Sequence, residues 1–444
     1  MVNLSRIFLT YLVFETLDFV SSAGLTDEFT WTKLTYDLRS PHEEHSRLPK
    51  PNPDAIYFPT DEEGSYKGHT ISSNSEDYHY PNNIPMGANR WKDKLFITVP
   101  RRRHGIPSTL NYIPLNSSVK HNVPLIPYPD LKTNRIKASH GHNHLISVYR
   151  VTVDPCDRLW MVDTGIIEVP GNKTWLGRQK LVIIDLNTDE IIKTYYFKES
   201  DLTSKTTLAL ITVDVTESTC DDAYAYIPDF LSYSLVVYSL KNDDSWRIKH
   251  NYFHIEPTKG DFEIGGHKFQ WSDGIFSGGL TNIQSSGYRN YIFHAMAGTH
   301  LYSVSTRVLR NKKLATRSYH HDDFMVLGDR GNDWQTSASA FHPSSNVMFF
   351  ALVNKHGVGC WNINNLFSQN SFVILKKDEA KMIYPADLKI YKNDIIILTN
   401  RMPVFVYSKL NYDEINFRVW IGNIYDVIRG TGCEDRGTTS EYYG

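Results

Sequence analysis

The 444-residue chain predicts an all-β fold, a six-bladed β-propeller that forms a single domain over residues 24–444. Six segments share one pattern, in which a turn residue precedes a short apolar or aromatic strand and a polar or Gly/Pro break follows. Their starts lie about 50 to 70 residues apart, a spacing typical of propeller blades. The six segments begin at Asp93, Asp157, Asp222, Asn290, Asn346 and Asp394.

Further strand-like runs flank most of these segments, so each unit has at least three consecutive strands. LISVYRVTV precedes the second segment and KLVIIDL follows it; such runs are rich in Val, Ile, Tyr, Phe and Leu and lack long helical periodicity. A pair of β-sandwiches is the alternative, but it does not explain six similar units. The segment Phe29–Leu38 precedes the first unit, and we expect it to complete the last blade and close the ring.

Composition excludes several classes of protein. Lys and Arg number 47 against 49 Asp and Glu, so the net charge of −2 gives no basic footprint for a nucleic-acid partner. Aromatic residues make up 13% of the chain and no long low-complexity tract occurs, which excludes a disordered protein. Outside the N-terminus, no run approaches the roughly 20 apolar residues of a membrane span.

The N-terminus has the layout of a secretory signal peptide, which we place at residues 1–23. Arg6 precedes the apolar stretch Ile7–Phe14, and small residues up to Ala23 follow. A buried N-terminal strand or helix is the alternative. The sequence therefore predicts a secreted, extracellular protein, which we expect to be a monomer. Two sequons, at Asn116 and Asn172, are the predicted glycosylation sites.

The four cysteines allow three disulfide connectivities. Cys156 and Cys220 both stand in the turn between the first two strands of adjacent units. Equivalent positions of neighbouring blades are close in space, so we expect these two residues to pair. Cys360, in the third strand of the fifth unit, then pairs with Cys433 and pins the C-terminal tail.

Long, ordered blocks of the sequence lie between Trp31 and Cys433 and include LISVYRVTVDPCDRLWMVDTG, HKFQWSDGIFSGGL and FRVWIGNIYDVIRGTGC. These blocks resemble the insect yellow / major royal jelly protein family. The stretches VPRRRHGIPSTLNYI, HNYFHIEPTKGDFEIGG and MIYPADL are similar to the yellow-f branch, which implies dopachrome conversion in melanin formation. The family also includes salivary binders of biogenic amines and nutritive proteins, so membership alone leaves the activity open.

We expect a small-molecule site at one mouth of the central channel. The first two strands of a blade form an antiparallel hairpin, so the start of the first and the end of the second lie on one face of the propeller. The side chains at the ends of the second strands are Arg101, Asp163, Asp229, His294, Asn400 and Arg401. Those at the starts of the first strands are His144, Asp273, Gln335 and Asp387. Tyr384 and Trp334 offer faces for a flat ring system.

The resemblance implies roles for some of these residues. In amine-binding relatives the pocket is lined from the last blade, at positions that match Asp387, Asn400 and Met402, whereas Ala386 stands where we expect a Thr. For dopachrome, Asp387 would hold the cationic nitrogen and Asn400 would donate to an oxygen. The carboxylate of the substrate would bind Arg401 or Arg101.

The proton acceptor would be His294 or His144. The reaction rearranges the substrate's own electrons, so no cofactor is expected. Each candidate also has a structural interpretation: Asp163, Asp229 and Asp273 are typical turn residues, His294 is typical of a hydrogen-bonded core histidine, and the run Arg101–His104 is typical of a solvated loop.

Metal and hydrolase chemistry find little support. His140, His142 and His144 alternate in a pattern that suits zinc or copper, but glycine and asparagine interleave them, and we favour a polar loop without a metal. No phosphate-binding glycine loop, HExxH, CxxC or GxSxG motif occurs.

The sequence thus favours an enzyme that converts dopachrome and dopaminechrome to dihydroxyindoles, with loss or retention of the carboxylate left open. The alternatives are a non-catalytic binder of biogenic amines or catechols and a structural or nutritive protein.

Overall fold

The computed structural model describes residues 24–38, 74–75, 78–136, 144–169, 171, 173–208 and 210–435. The first fifteen strands are β1 (Thr26–Trp31), β2 (Asn74–Ser75), β3 (Tyr78–His79), β4 (Gly87–Trp91), β5 (Lys94–Thr98), β6 (Leu110–Pro114), β7 (Ile126–Pro127), β8 (Val148–Val153), β9 (Arg158–Asp163), β10 (Ile166–Ile167), β11 (Thr174–Trp175), β12 (Lys180–Asp185), β13 (Glu190–Tyr196), β14 (Thr212–Asp214) and β15 (Tyr224–Asp229).

The remaining strands are β16 (Ser234–Ser239), β17 (Asp244–Lys249), β18 (Asp261–Ile264), β19 (His267–Gln270), β20 (Ile275–Leu280), β21 (Asn290–Ala295), β22 (His300–Ser305), β23 (Phe324–Asp329), β24 (Thr336–His342), β25 (Val347–Leu352), β26 (Gly357–Asn362), β27 (Phe372–Lys377), β28 (Tyr384–Tyr391), β29 (Asp394–Asn400) and β30 (Phe417–Asn423). The α-helices are short: α1 (Leu131–Asn134), α2 (Thr306–Leu309), α3 (Lys312–Ala315), α4 (Met402–Tyr407) and α5 (Ile424–Ile428). Single 3₁₀ turns cover Tyr80–Asn82, Glu199–Asp201, Cys220–Asp222, Asn251–Phe253, Pro257–Lys259, His321–Asp323 and Gln369–Ser371.

The strands form six four-stranded antiparallel sheets, which confirms the predicted six-bladed propeller. From the channel outwards, the blades are β4-β5-β6-β7, β8-β9-β12-β13, β14-β15-β16-β17, β20-β21-β22-β23, β24-β25-β26-β27 and β28-β29-β30-β1. Three extra hairpins, β2-β3, β10-β11 and β18-β19, project from the connections. We call the channel opening at the starts of the innermost strands the upper mouth, and the opening at their ends the lower mouth.

The blades are held together by apolar side chains on both faces of their central strands. Strands β9, β16 and β25 are buried along their whole length, because each blade packs between two neighbours. One such layer, between the second and third blades, contains Trp160 and Tyr238, both fully buried. The central strands of a propeller are therefore continuous apolar runs in the sequence, and this pattern predicted them.

An N-terminal strand closes the ring, as predicted, but it covers Thr26–Trp31 and leaves out residues 32–38 of the predicted segment. β1 pairs antiparallel with β30, with Phe29 opposite Val419 and Trp31 opposite Phe417. The indole nitrogen of Trp31 also donates to the Val123 carbonyl in the first blade, at 2.8 Å. The first and last described strands of the propeller thus share one blade, which joins the N-terminal and C-terminal parts of the ring.

Both predicted disulfides are present. Cys156 joins Cys220 across the turns of the second and third blades, and Cys360 joins Cys433 across 73 residues of sequence. The second bridge fixes the segment that follows α5 against the fifth blade, where Cys433 is fully buried.

Removing the second bridge is expected to destabilise the propeller. The double substitution Cys360→Ser and Cys433→Ser should lower the free energy of unfolding by about 2–4 kcal/mol, because the unfolded chain loses its cross-link. Denaturant unfolding followed by tryptophan fluorescence measures the change. An unaltered midpoint and slope would show that the tail contributes nothing to stability.

Several predicted features lie outside the described residues: the signal peptide at 1–23, Asn172, His140 and His142. Asn116 is exposed in the turn after β6, and its glycosylation stays a prediction. In the part of the chain that the structure describes, no helix is long and apolar enough to cross a membrane.

Candidate functional site at the upper channel mouth

The upper mouth is lined by apolar side chains from almost every blade. They pack in one buried cluster with members Met86, Leu210, Phe276, Met296, Val353 and Tyr384, and Tyr149 of the second blade packs against it. An apolar wall at a channel mouth excludes water and strengthens any polar interaction made there.

A lid covers one side of this mouth. The hairpin β18-β19 extends from the connection before the fourth blade to α4 in the sixth blade. The indole of Trp271, just after the hairpin, donates to the Tyr407 hydroxyl at 3.0 Å, and the His267 ring bonds to Ser408 at 3.1 Å. A side chain at Gly265 would meet Val404 at 2.9 Å, so the hairpin tip lies directly against the helix.

Asp273 lies under this lid at the start of the fourth blade. Its carbonyl accepts from the Ala297 amide at 3.0 Å, which fixes the backbone against the end of β21. The next residue, Gly274, lies so close to Phe253 and Tyr233 that no side chain would fit. Burial raises the pKa of Asp273 to about 6, and Arg102 opposes part of that rise. Within the described residues, no hydrogen bond reaches its carboxylate, so it is free to bind or to take a proton.

Two further polar groups face the same recess. Burial raises the pKa of the Tyr384 phenol, so the hydroxyl stays protonated near neutral pH. The charge of Asp273 raises this pKa further, whereas Arg150 and Arg102 lower it. Arg102 has no hydrogen bond or ion pair from its guanidinium to any described residue. The recess thus combines an acid that titrates near neutrality, a neutral hydroxyl donor and a cation with no side-chain partner among the described residues.

Aromatic rings complete the recess. Trp271 meets Tyr384 edge to face, with ring centroids 6.1 Å apart. The ring centroids of Phe276 and Phe230 lie 5.0 Å apart, and the central carbon of the Arg150 guanidinium lies 5.3 Å from the Phe276 centroid. Flat conjugated molecules bind well between such rings.

A cavity of about 360 Å³ opens on this face between the first blade, the second blade and α4. Its lining includes Arg102, Glu168 and Phe405. The volume suits a small organic ligand. A larger recess of about 860 Å³ borders the lid hairpin, with Glu263 and Lys377 in its lining. Asp273 and Tyr384 do not line the smaller cavity, but Arg102 does, and its charge acts on both of them. We therefore assign the candidate site to the Arg102 side.

Arg101 does not reach this site. Its side chain is 4% exposed and donates to five backbone carbonyls, those of Ile106, Pro107, Asn134, Leu145 and Ile146. Burial lowers its pKa to about 10. The expectation that Arg101 binds a carboxylate is therefore wrong, because all its donors are used to hold loops of the first two blades together.

Substituting Arg101 is consequently expected to affect folding more than substrate choice. Arg101→Ala should lower the free energy of unfolding by at least about 3 kcal/mol, since it leaves buried carbonyls without donors. Thermal unfolding measures this loss. A variant as stable as the parent protein, with weaker binding of an anionic substrate, would contradict the structural role.

Asp163 and Asp229 are also structural. Asp163 accepts from the amides of Ile146 and Ser147, both at 2.8 Å. Asp229 accepts from the Thr207 amide and pairs with Arg247, each at 2.8 Å. Their turn-forming interpretation fits this arrangement better than ligand binding.

His294 is not placed to act as the base. His294 is fully buried, with one ring nitrogen 3.2 Å from the Ala295 carbonyl and the other 3.1 Å from the Ser339 hydroxyl. Burial lowers its pKa well below the ordinary value, so it is neutral and structural. His144 lies next to the undescribed segment 137–143, and no described contact joins it to Asp273. We therefore do not assign the base to either residue.

The predicted ligands of the last blade are mostly committed to the fold. Asp387 is fully buried and accepts from the Ala88 and Leu388 amides at 3.2 and 3.0 Å. Its carboxylate lies 3.5 Å from Arg150 and 3.6 Å from Lys389. It therefore lies inside the channel, below the recess.

The three residues at the end of β29 also hold local structure. Asn400 donates to the Pro85 carbonyl at 2.7 Å and accepts from the Met402 amide at 2.9 Å. Arg401 pairs with Glu414 at 2.9 Å. The Met402 side chain is buried in the apolar cluster of the upper mouth.

The other two predicted mouth residues point elsewhere. Trp334 is buried inside the fifth blade against Phe350 and Phe372, so it offers no face to a ligand. The Gln335 amide donates to the Lys259 carbonyl at 3.1 Å. Sequence reasoning named Tyr384 and Asp273, and it included Arg102 only in a basic run interpreted as a solvated loop. It missed Trp271 and the lid, although the block HKFQWSDGIF contains the lid strand β19 and Asp273.

Metal ligands do not cluster in the described part of the chain. No group of three or more His, Cys, Asp or Glu residues there is arranged to hold an ion. The recess therefore offers acid–base and hydrogen-bonding chemistry from Asp273, Tyr384 and Arg102.

A six-bladed propeller with a polar, aromatic-lined recess at one channel mouth is the class that fold and site define. The family model described as "Major royal jelly protein" matches residues 146–433. The chain is 42% identical over 365 residues to "L-dopachrome tautomerase yellow-f" of Drosophila melanogaster, a match that covers 82% of this chain and 85% of that protein.

Similar relatives include "Protein yellow" of Drosophila subobscura, which is 39% identical over 82% of this chain, and "Protein yellow" of Drosophila melanogaster, which is 38% identical over the same share. The matches span 63% of the first of these longer proteins and 66% of the second. The chain belongs to the yellow / major royal jelly protein family.

Proposed function

We propose that the protein is a dopachrome tautomerase that works at the upper mouth, with Asp273 as the base. The relative described as an L-dopachrome tautomerase supports the substrate. The observation that carries the mechanism is the raised pKa of Asp273, about 6, in a recess where the charge of Arg102 acts on both Asp273 and Tyr384. A base whose pKa lies near the working pH is the most effective proton acceptor.

Each group has one task in the reaction. Arg102 binds the carboxylate of dopachrome, and the ring system lies against Trp271 and Phe276. Asp273 takes the proton from the ring carbon that bears the carboxylate. The electron pair of that C–H bond moves through the ring to a quinone oxygen, to which Tyr384 donates a hydrogen bond as negative charge develops. This oxygen gains a proton. A second proton then leaves the neighbouring ring carbon, the other quinone oxygen is protonated, and the product is a dihydroxyindole.

We propose that the carboxylate is retained. Decarboxylation would release CO₂ from the same carbon and would need no base, whereas the recess holds a base with a raised pKa. An ion pair with Arg102 also stabilises the carboxylate in its ionised, attached form. Chromatographic identification of the product separates the two routes: a dihydroxyindole carboxylic acid is expected, and dihydroxyindole alone would contradict retention.

The activity is tested with freshly prepared dopachrome. Its visible absorbance should fall faster with the purified protein than with heat-inactivated protein at the same concentration. Equal rates would reject the enzyme. The same assay with dopaminechrome tests whether a substrate that lacks the carboxylate is also converted.

Non-catalytic binding of biogenic amines is the second candidate. One observation favours it: an acid at the foot of an aromatic recess is able to hold an ammonium group by charge and by cation–π contact with Trp271. Saturable amine binding in calorimetry, together with no acceleration of dopachrome loss, would support this candidate over the enzyme.

We also propose that the protein acts outside the cell, as the predicted signal peptide implies. All four cysteines are paired in disulfides, which suits an oxidising compartment. Expression of the full chain in insect cells tests this: we expect the protein in the medium with a new N-terminus near residue 24. Retention inside the cell with an intact N-terminus would contradict it.

A further inference from the structure

The lower mouth of the channel contains a second cavity, of about 440 Å³. All six blades contribute to its lining through the ends of their innermost strands, with members Asn89, Thr152, Val213, Leu280, Ala340 and Lys389. It lies on the opposite face from the recess around Asp273, so it is a separate site.

The walls of this cavity are mixed in a way that suits a small amphipathic molecule. Val153, Ile211, Leu280 and Phe341 provide apolar surface. The cavity has two cationic groups, Lys389 and Lys392, and no Asp or Glu in its described lining. An apolar chamber with a single sign of charge selects ligands of the opposite sign.

Lys389 is the inner cation, with only 15% of its side chain exposed. The nearest acid is Asp387, deeper in the channel, with 3.6 Å between its carboxylate and the lysine nitrogen. Asp387 also lies 3.5 Å from the guanidinium of Arg150. Among the described residues, one carboxylate therefore faces two cations, which leaves one positive charge in excess at the floor of the cavity.

This excess charge is poorly compensated. Burial lowers the pKa of Lys389, and Arg150 lowers it further, while Asp387 opposes the change. An anion in the cavity would supply the missing negative charge and pair with the exposed side of the ammonium group.

We propose that the lower-mouth cavity binds a small organic carboxylate, with its carboxylate on Lys389 and its apolar body against Ile211, Leu280 and Phe341. The inference does not depend on the reaction at the upper mouth. It assigns a second ligand site to the propeller, at the other end of the same channel.

The proposal is tested by fluorine NMR titration of the full protein with 4-fluorobenzoate and with its uncharged analogue 4-fluorobenzamide. The carboxylate should bind saturably with a Kd near or below about 1 mM, and the amide at least about tenfold more weakly. Lys389→Gln should weaken 4-fluorobenzoate binding about tenfold or more. Lys392→Gln, a matched loss of one lysine at the rim, should change it less than about threefold.

Two more variants show whether 4-fluorobenzoate binds at the lower mouth or at the upper mouth. Ala340→Phe fills the lower cavity without altering charge and should abolish binding, which gives a second result if Lys389→Gln folds poorly. Arg102→Gln removes the cation of the upper mouth and should leave 4-fluorobenzoate binding intact. Thermal unfolding confirms that each variant is folded. Absence of saturable binding to the parent protein, retention of binding in Ala340→Phe, or its loss in Arg102→Gln would overturn the proposal.

Discussion

Asp273→Asn is expected to lower kcat for dopachrome by about 100- to 10,000-fold, the usual contribution of a positioned general base. The amide keeps the size of the carboxylate but cannot accept the proton. KM should change little, because Arg102 and the aromatic rings still bind the substrate. Initial rates from dopachrome absorbance, with the uncatalysed rate subtracted, measure the effect.

The same substitution is expected to stabilise the protein at neutral pH. A folded-state pKa of about 6, against 3.8 ordinarily, means that the folded protein binds this proton more tightly than the unfolded chain. Stability is therefore lost as pH rises between these values, and removal of the charge restores it. A higher melting temperature at pH 7.5 with lost activity would show that Asp273 serves function at the expense of stability.

Glu263→Gln is the matched control for Asp273. It makes the same carboxylate-to-amide change at an exposed position of the lid hairpin. There the Glu263 carboxylate lies 3.6 Å from the ammonium nitrogen of Lys268. Both activity and stability should stay close to those of the parent protein. If both substitutions abolish activity equally, the lid rather than the base is responsible.

Arg102→Gln is expected to raise KM for dopachrome by about 10- to 100-fold, because a charge-assisted pair with the carboxylate is lost. The reaction of dopaminechrome, which has no carboxylate, should be almost unchanged. The comparison of the two substrates within one variant removes any general effect on folding.

Steady-state kinetics with both substrates measure this difference. Arg103→Gln is the neighbouring control: Arg103 donates to the Phe405 carbonyl at 2.7 Å and supports α4, so its loss should affect both substrates alike. Equal losses with both substrates in Arg102→Gln would mean that the carboxylate is not bound at this position.

The fold was predictable from the sequence because its determinants are local. Each blade has a fully buried central strand, such as β9 or β25, which reads as an unbroken apolar run after a turn residue. Equivalent turns in adjacent blades brought Cys156 beside Cys220 without knowledge of any long-range contact. Repetition made six weak signals into one strong one.

The site was only partly predictable, because it depends on details of register. Arg101 and Arg102 follow the end of β5 after two intervening residues, and only the backbone turn decides that the first is buried and the second faces the recess. In β28 the register shifts between Pro385 and Asp387, and this irregularity determines which side chain enters the channel. Neither feature leaves a pattern in the sequence.

The role of Asp273 depends on contacts far away in the chain. Its raised pKa arises from burial, at a position where Met296, Tyr384 and the lid all pack around the mouth. From the sequence it is a turn residue before Gly274, and that interpretation is also correct. The same local turn that positions the backbone thus presents a carboxylate in an environment that only the assembled ring creates.

The pH dependence of kcat/KM for dopachrome tests the central claim most directly. If Asp273 is the base in the free enzyme, the rate should rise about tenfold per pH unit on the acid side and level off above an apparent pKa near 6. The residual rate of Asp273→Asn should lack this rise. A parent enzyme whose kcat/KM is flat between pH 5 and 7.5, or a variant that keeps the same profile, would contradict the assignment of the base to Asp273.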